Sequence, residues 1–232
     1  MKIIAKIKTE YPEKFGIPRQ SGLVSGLPAR IVFEKEYRQA EAVRGLEGFS
    51  HVWLLWQFSE NKNSSWSATV RPPRLGGNKR VGVFATRSPY RPNAIGLSAV
   101  KLIGIDYDSA DAPALIVDGA DLLDGTPIVD IKPYLAYADS IPDAVDGFAA
   151  EHRNEALSVI FPKELLSKIP SEKQAPLLEI LSQDPVPAYQ NDPGRVYGLS
   201  FAGNNISFSI DSSALTVLAV EPLKKGEENN EK

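Results

Sequence analysis

Val81-Gly82-Val83-Phe84-Ala85-Thr86-Arg87-Ser88-Pro89-Tyr90-Arg91-Pro92-Asn93-Ala94-Ile95-Gly96-Leu97-Ser98 sets the reading of the whole chain. An apolar run, Val81–Ala85, ends at Thr86-Arg87, and Gly96 opens a second run beyond a loop punctuated by Pro89 and Pro92. The pattern predicts strand, rigid charged loop, strand. Each proline fixes its own φ and biases the residue before it, Ser88 or Arg91, towards extended geometry. Arg87, Arg91 and Asn93 are thereby presented from a stiff loop, and guanidinium groups suit bidentate capture of carboxylate or phosphate. A plain charged hairpin loop is the competing reading.

Working outward, short strands with Gly, Asp and Pro punctuation recur on both sides. Lys2–Lys8 alternates charged and apolar residues, and Ala29–Phe33 is a second strand, reached through a Pro- and Gly-rich loop from Tyr11 to Leu27. Glu34 to Leu46 reads as a helix, with Tyr37, Ala40, Val43 and Leu46 at spacing three. The aromatic segment Phe49–Phe58 predicts a central strand buried on both faces, with Trp53 and Trp56 in the core and His51 as a core or edge histidine. Ser67–Val70, Leu97–Tyr107, Ala114–Asp118 and Pro127–Ile131 complete the series. So many short strands around one helix point to a barrel or closed sheet. The regular βαβ alternation and glycine fingerprint of doubly wound nucleotide folds are missing.

Periodicity fades between Tyr134 and Glu155, which divides the chain into a first domain at 1–140 and a second at 150–232. In the second, Pro162–Ile169 and Ser171–Ser182 read as helices, with Ser171 as a cap. Arg195–Ala202 and Asn205–Asp211 form a hairpin around Gly203-Asn204, Leu215–Val220 adds a strand, and the charged tail begins at Lys224. The expected fold is mainly β: a small N-terminal barrel followed by a small α+β domain.

Composition narrows the chemistry. With no cysteine and two histidines, His51 and His152, among 232 residues, disulfides and thiolate sites are excluded and a histidine metal cluster is not expected. No apolar run approaches the ~18–20 residues of a membrane span, and no signal peptide is seen, so a cytoplasmic location is expected. The net charge is −3, yet eight basic residues and no acidic one lie between Asn61 and Ile105, followed by seven aspartates and no Lys or Arg between Leu102 and Ile131. Such separation can steer a polyanion to one face. The aspartates mostly sit at turns.

Two further stretches concentrate polar groups. Pro18-Arg19-Gln20-Ser21-Gly22 lies in the first long loop, and Asp121–Pro127 contains Asp124-Gly125-Thr126-Pro127, a strong turn signature. Beyond it, Asp130 and Lys132 share a strand face by period two, with Tyr134 at the strand's exit. The trio suits hydrogen bonding to a polar substrate, or equally a structural ion pair with a tyrosine cap.

Thr86-Arg87-Ser88-Pro89-Tyr90-Arg91-Pro92-Asn93-Ala94-Ile95-Gly96-Leu97-Ser98 and Asp124-Gly125-Thr126-Pro127-Ile128-Val129-Asp130-Ile131-Lys132-Pro133-Tyr134, in this order, resemble the TsaA family of TrmO-type tRNA methyltransferases. Pro18-Arg19-Gln20 and Phe49-Ser50-His51-Val52-Trp53 fit the same pattern. The resemblance implies a small β-barrel methyltransferase domain, S-adenosylmethionine as cofactor, and a homodimer with cofactor near the subunit interface. It implies methylation of the exocyclic amine of N6-threonylcarbamoyladenosine beside the anticodon of threonine tRNA. By position, cofactor contacts would fall on Pro18, Arg19, Gln20, Ser59, Glu60, Arg87, Leu97, Asp124, Gly125, Thr126 and Pro127. Arg87 would pair with the methionine carboxylate. Asn93 and Asp130 would hold the acceptor amine, with Lys132 and Tyr134 holding the substrate; Arg71, Arg74, Arg80, Arg91 and Arg195 would meet the anticodon stem-loop.

This chain departs from the family in two places. Ser59-Glu60 stands where members commonly have His-Lys, and Asp184-Pro185-Val186-Pro187-Ala188-Tyr189 carries valine at the arginine of D-P-R-P-x-Y. A cofactor-binding RNA module without methyl transfer, and a methyltransferase with another substrate, are the competing functions.

Overall fold

The computed structural model describes residues 1–60, 65–72, 75, 79–152, 156–186, 194–211 and 214–223. In β1 (Ala5–Lys8), Ala5 and Ile7 are fully buried while Lys6 and Lys8 are exposed, the period of two that gives a strand one apolar face. The same alternation runs through β2 (Ala29–Phe33) and β3 (His51–Gln57). A small ribbon, β4 (Thr69–Val70) and β5 (Val81–Gly82), precedes the long β6 (Ile95–Asp106), then β7 (Ala114–Asp118) and β8 (Pro127–Pro133).

Six strands close into a barrel in the order β1-β2-β7-β6-β3-β8, every pair antiparallel. Closure leaves no unpaired edge. Ile7, Ile31, Leu54, Val52, Val117 and Ile128 fill the interior, so the barrel is a packed core rather than a channel.

Three expectations change here. Glu34–Leu46 is not one helix but a 3₁₀ turn at Lys35–Tyr37, a single α turn α1 (Ala40–Val43) and a second 3₁₀ turn at Leu46–Gly48. Gln39 is extended and Gly45 is left-handed at φ 85°, while Tyr37, Val43 and Leu46 still reach the barrel core. Three apolar contacts, at Tyr37, Val43 and Leu46, are too few to drive a continuous helix. β3 is central, between β6 and β8, but its outer face is only partly covered: His51 is exposed and Trp53 half-buried. Strand pairing of Val81–Ala85 stops at Gly82, because the Val83 carbonyl accepts from the Thr86 N–H and hydroxyl and from Arg91, turning Val83–Ala85 into a 3₁₀ turn.

After α2 (Ala136–Asp139), a second sheet forms from β9 (Ser158–Ile160), β10 (Val196–Phe201), β11 (Asn204–Asp211) and β12 (Ala214–Pro222), in the order β10-β11-β12-β9. β9, absent from the sequence reading, pairs parallel to β12. α3 (Lys163–Leu166) and α4 (Ser171–Ser182) accompany it, and Leu177, Ile180 and Leu181 of α4 join Leu199, Phe201 and Phe208 in its core. Pro170, not Ser171, takes the cap position of α4, and the Ser171 hydroxyl turns to Glu172 instead. The hairpin turn falls on Ala202 and Gly203, both at positive φ, one residue earlier than expected; a two-residue primed turn needs that conformation twice.

The loop between β1 and β2 belongs to both halves. Tyr11, Val24 and Leu27 are buried in the second core, and Phe15 stacks on Phe208 at 6.2 Å. Glu13 accepts from the Ser200 N–H at 3.1 Å, Glu179 from the Ser25 N–H at 3.0 Å, and Lys173 pairs with Glu10 at 2.8 Å.

Candidate cofactor and substrate site

Antiparallel closure decides where the loops go. The connections 9–28, 58–94 and 119–126 all leave the barrel at one rim, since β1, β3 and β7 end there while β2, β6 and β8 begin there. Pro18, Arg19, Gln20, Ser59, Glu60, Arg87, Asn93, Asp124, Gly125 and Thr126 are therefore rim residues, with Leu97 and Pro127 at the mouths of β6 and β8.

Hydrogen bonds sew these loops together. The Gly22 N–H donates to the Gly119 carbonyl at 2.8 Å, and a Cβ on Gly119 would sit 3.2 Å from the Gly22 backbone, so the approach requires glycine. Arg87 Nη1 donates to Gln20 Oε1, and Gln20 Nε2 donates to the Arg19 carbonyl at 2.6 Å. Arg19 reaches in turn to Asp184 of the second domain. The Asp124 carboxylate accepts from the Thr9 N–H at 2.9 Å, and the Gly125 N–H donates to Ile7 at 2.8 Å. Thr126 is buried, its hydroxyl on the Leu123 carbonyl at 2.6 Å; the side chains of Asp124 and Thr126 thus shape the turn, while Gly125 is exposed.

Beneath these loops lies a group to which the sequence reading gave no role, although it heads the polar stretch 121–127. Asp121 is half-buried and its Oδ1 accepts from the Ser98 hydroxyl at 2.6 Å; Ser98 accepts from Trp56 Nε1 at 3.0 Å. Trp56 can lie there because it faces Gly96, where a Cβ would come within 2.2 Å of the indole. Burial pushes the Asp121 carboxyl above its ordinary value, opposed by the Ser98 hydrogen bond and by the charge of Arg87. The neighbouring Tyr11 phenol is pushed up as well, by burial and then by Asp118 and Asp121. The acidic D-x-x-D-G run was the available sequence signal for Asp121, but turn chemistry explained it equally well.

Asp130 and Lys132 come together within one chain, while Asn93 and Tyr134 lie towards opposite ends of the barrel. Asn93 lies two residues before β6 on the loop-bearing rim, whereas Tyr134 follows the end of β8, a seven-residue strand spanning about 20 Å. Lys132 Nζ meets Asp130 Oδ2 at 2.8 Å, and the Tyr134 ring lies 5.4 Å from Trp53 and 6.1 Å from His51. Among the candidate RNA contacts, Arg71 is exposed and Arg80 Nε holds the Thr69 hydroxyl at 2.8 Å. Arg91 braces its own loop, donating to Thr86 at 2.6 Å and lying over the Phe84 ring at 5.5 Å. Arg195 is exposed over Tyr197 at 5.3 Å, and Arg74 lies outside the described residues.

Barrel, rim loops and half-buried carboxylate define a class: a two-domain β-barrel protein whose long loops gather at one rim, unrelated in architecture to doubly wound nucleotide folds. Residues 6–140 match the sequence profile of the tRNA-methyltransferase O N-terminal domain, and residues 154–223 that of the TrmO C-terminal domain. The chain belongs to the tRNA-methyltransferase O family. It is 43% identical over 227 residues to the tRNA (adenine(37)-N6)-methyltransferase of Escherichia coli K12, covering 94% of this chain and 96% of that one. It is 42% identical over 204 residues to a Pseudomonas aeruginosa protein named as an S-adenosylmethionine-dependent methyltransferase, covering 84% and 86%. The crystal structure of TrmO from Pseudomonas aeruginosa superposes with a TM-score of 0.72 at 33% identity, covering 94% of this chain and 96% of that one.

Proposed function

We propose that this protein is an S-adenosylmethionine-dependent tRNA methyltransferase that methylates N6 of adenosine 37, with N6-threonylcarbamoyladenosine of threonine tRNA as its acceptor. The near-full-length likeness to the Escherichia coli enzyme carries this reading. The rim supports it: an exposed arginine and a half-buried carboxylate match the two charges of an amino-acid end, and the loops that hold them are pinned in place.

The cofactor, when bound, supplies a methyl group already activated by its sulfonium, so positioning is most of the task left to the protein. Arg87 holds the methionine carboxylate, and the backbone around Leu97 together with the carbonyls of the Asp124-Gly125 turn, whose N–H groups are already engaged within the barrel, faces the adenine. Asn93 and Asp130 face the one N6–H of the acceptor, and the Asp130 carboxylate takes that proton when the nitrogen is methylated; Lys132 and Tyr134 hold the threonylcarbamoyl substituent. A homodimer reconciles their separation, bringing the outer face of β8 from one copy towards the Asn93 rim of the other. A base beside the anticodon is single-stranded, so it enters without melting a duplex.

The test is nucleoside mass spectrometry after incubation with S-adenosylmethionine and threonine tRNA, with and without the threonylcarbamoyl group. Methylation confined to the modified tRNA is expected. Equal methylation of both would reject the acceptor assignment, and methylation of neither would reject the reading.

A further inference from the structure

We infer that Asp121 is the receptor for the α-ammonium group of the cofactor's amino-acid end, opposite Arg87, which takes the carboxylate. The inference rests on the cofactor reading above and names a residue outside the loop contacts implied by family position.

Asp121 is oriented as a ligand-binding carboxylate should be. Ser98 donates to its Oδ1 at 2.6 Å, and Ser98, 1% exposed, is itself fixed by Trp56 at 3.0 Å. The backbone of Ser21 supports the same carboxyl from the first loop. A carboxylate offers about four acceptor sites, so these bonds leave room for an ammonium donor. What the site lacks is a counter-charge: among the described residues, no cation lies within ion-pair distance of Asp121. Arg87 is near enough for its charge to act on the carboxyl, but it is exposed and turns Nη1 to Gln20. A partly desolvated carboxylate without a cation is costly, and a cationic ligand arriving beside it relieves that cost. Asp118, a half-buried structural aspartate of the same rim, is satisfied by two backbone N–H groups, from Gly26 at 3.1 Å and Leu27 at 3.2 Å, whereas among the described residues the one side-chain donor on Asp121 is the Ser98 hydroxyl.

Calorimetry on Asp121→Asn with four ligands separates the possibilities: S-adenosylmethionine, S-adenosylhomocysteine, 5′-methylthioadenosine, and an S-adenosylhomocysteine analogue without its α-amino group. Loss of a charged hydrogen bond should weaken the first two by about tenfold or more. Methylthioadenosine, which has no amino-acid end, should bind the variant and wild type alike. Weakening of S-adenosylmethionine alone would mean that Asp121 answers the sulfonium, and equal loss of all ligands would mean a structural role; either overturns the inference. Wild type should bind the desamino analogue about tenfold more weakly than S-adenosylhomocysteine, and equal affinity would overturn the inference even if the variant failed to fold. Wild type that binds none of the four would instead reject the cofactor reading itself.

Discussion

Arg19, on the loop between β1 and β2, donates its guanidinium to the backbone carbonyl of Asp184, with the Asp184 carboxylate 4.0 Å away. One end of a hydrogen-bonded chain that runs through Gln20 to Arg87 is therefore fixed by the second domain. The second domain is thus a clamp on the loop proposed to hold the cofactor.

Gly16→Ala tests the clamp. Gly16 has φ 83° and faces Leu199, where a Cβ would come within 2.2 Å of Cδ1. Strain and overpacking together should cost about 1–3 kcal/mol. Thermal melts should show the loss, and calorimetry should show weaker S-adenosylmethionine binding, since the displaced loop carries Pro18, Arg19 and Gln20. A destabilised variant with unchanged affinity would show that the clamp does not reach the site.

Ser98→Ala removes the hydroxyl that joins Trp56 to Asp121. Leaving two partly buried polar groups without it should cost about 1–3 kcal/mol. Trp56 fluorescence should shift as the indole N–H loses its acceptor, and denaturant titration would give the stability change.

Asp130→Ala separates substrate positioning from structure. Its ion pair with Lys132 is largely exposed, with side chains 44% and 62% accessible, so breaking it should change stability by at most about 1 kcal/mol. Methyl transfer should nevertheless be abolished while cofactor affinity stays within about twofold of wild type. Turnover near the wild-type rate would reduce the pair to an ornament of the barrel's outer face.

Acid stability should depend on Arg30, which meets Asp106 at 2.7 Å and Asp111 at 2.6 Å. Hydrogen bonds from Arg30 and then Ser109 hold Asp111 at about 2, below its ordinary 3.8. Asp106 is also held well below that value, by Ser109, the Asp108 N–H and Arg30. Depressed carboxylates stabilise the fold above their unfolded pKa and lose that contribution as pH falls through the folded value. Wild type should therefore lose melting temperature between about pH 4 and pH 2, and Arg30→Gln should be less stable near neutrality with a deficit that narrows in acid.

The barrel was legible because Lys2–Lys8 alternates charged and apolar residues and because short apolar runs with Gly, Asp and Pro punctuation recur along the first domain, and many short strands of that kind close into a barrel. The broken helix at 34–48 was not, because spacing three is satisfied by isolated turns as well as by a helix. The stretch from Tyr11 to Leu27 read only as a loop rich in proline and glycine, yet Tyr11, Val24 and Leu27 complete the second core. No local pattern announces a partner about 160 residues away. Asp121 was hidden for a similar reason: its burial comes from Ser98 and the rim loops, while its own neighbours spell only a turn. Arg87 and Pro18–Gln20 were legible as motifs, and their hydrogen bonding to each other was visible only in three dimensions.

The most direct measurement is the fate of an isotopically labelled methyl group. Threonine tRNA carrying threonylcarbamoyladenosine is incubated with labelled S-adenosylmethionine and this protein, digested, and analysed by tandem mass spectrometry. The account predicts label on N6 of the nucleoside at position 37 and none with Asp130→Ala. Label on any other nucleoside, or none with the wild-type protein, would contradict it.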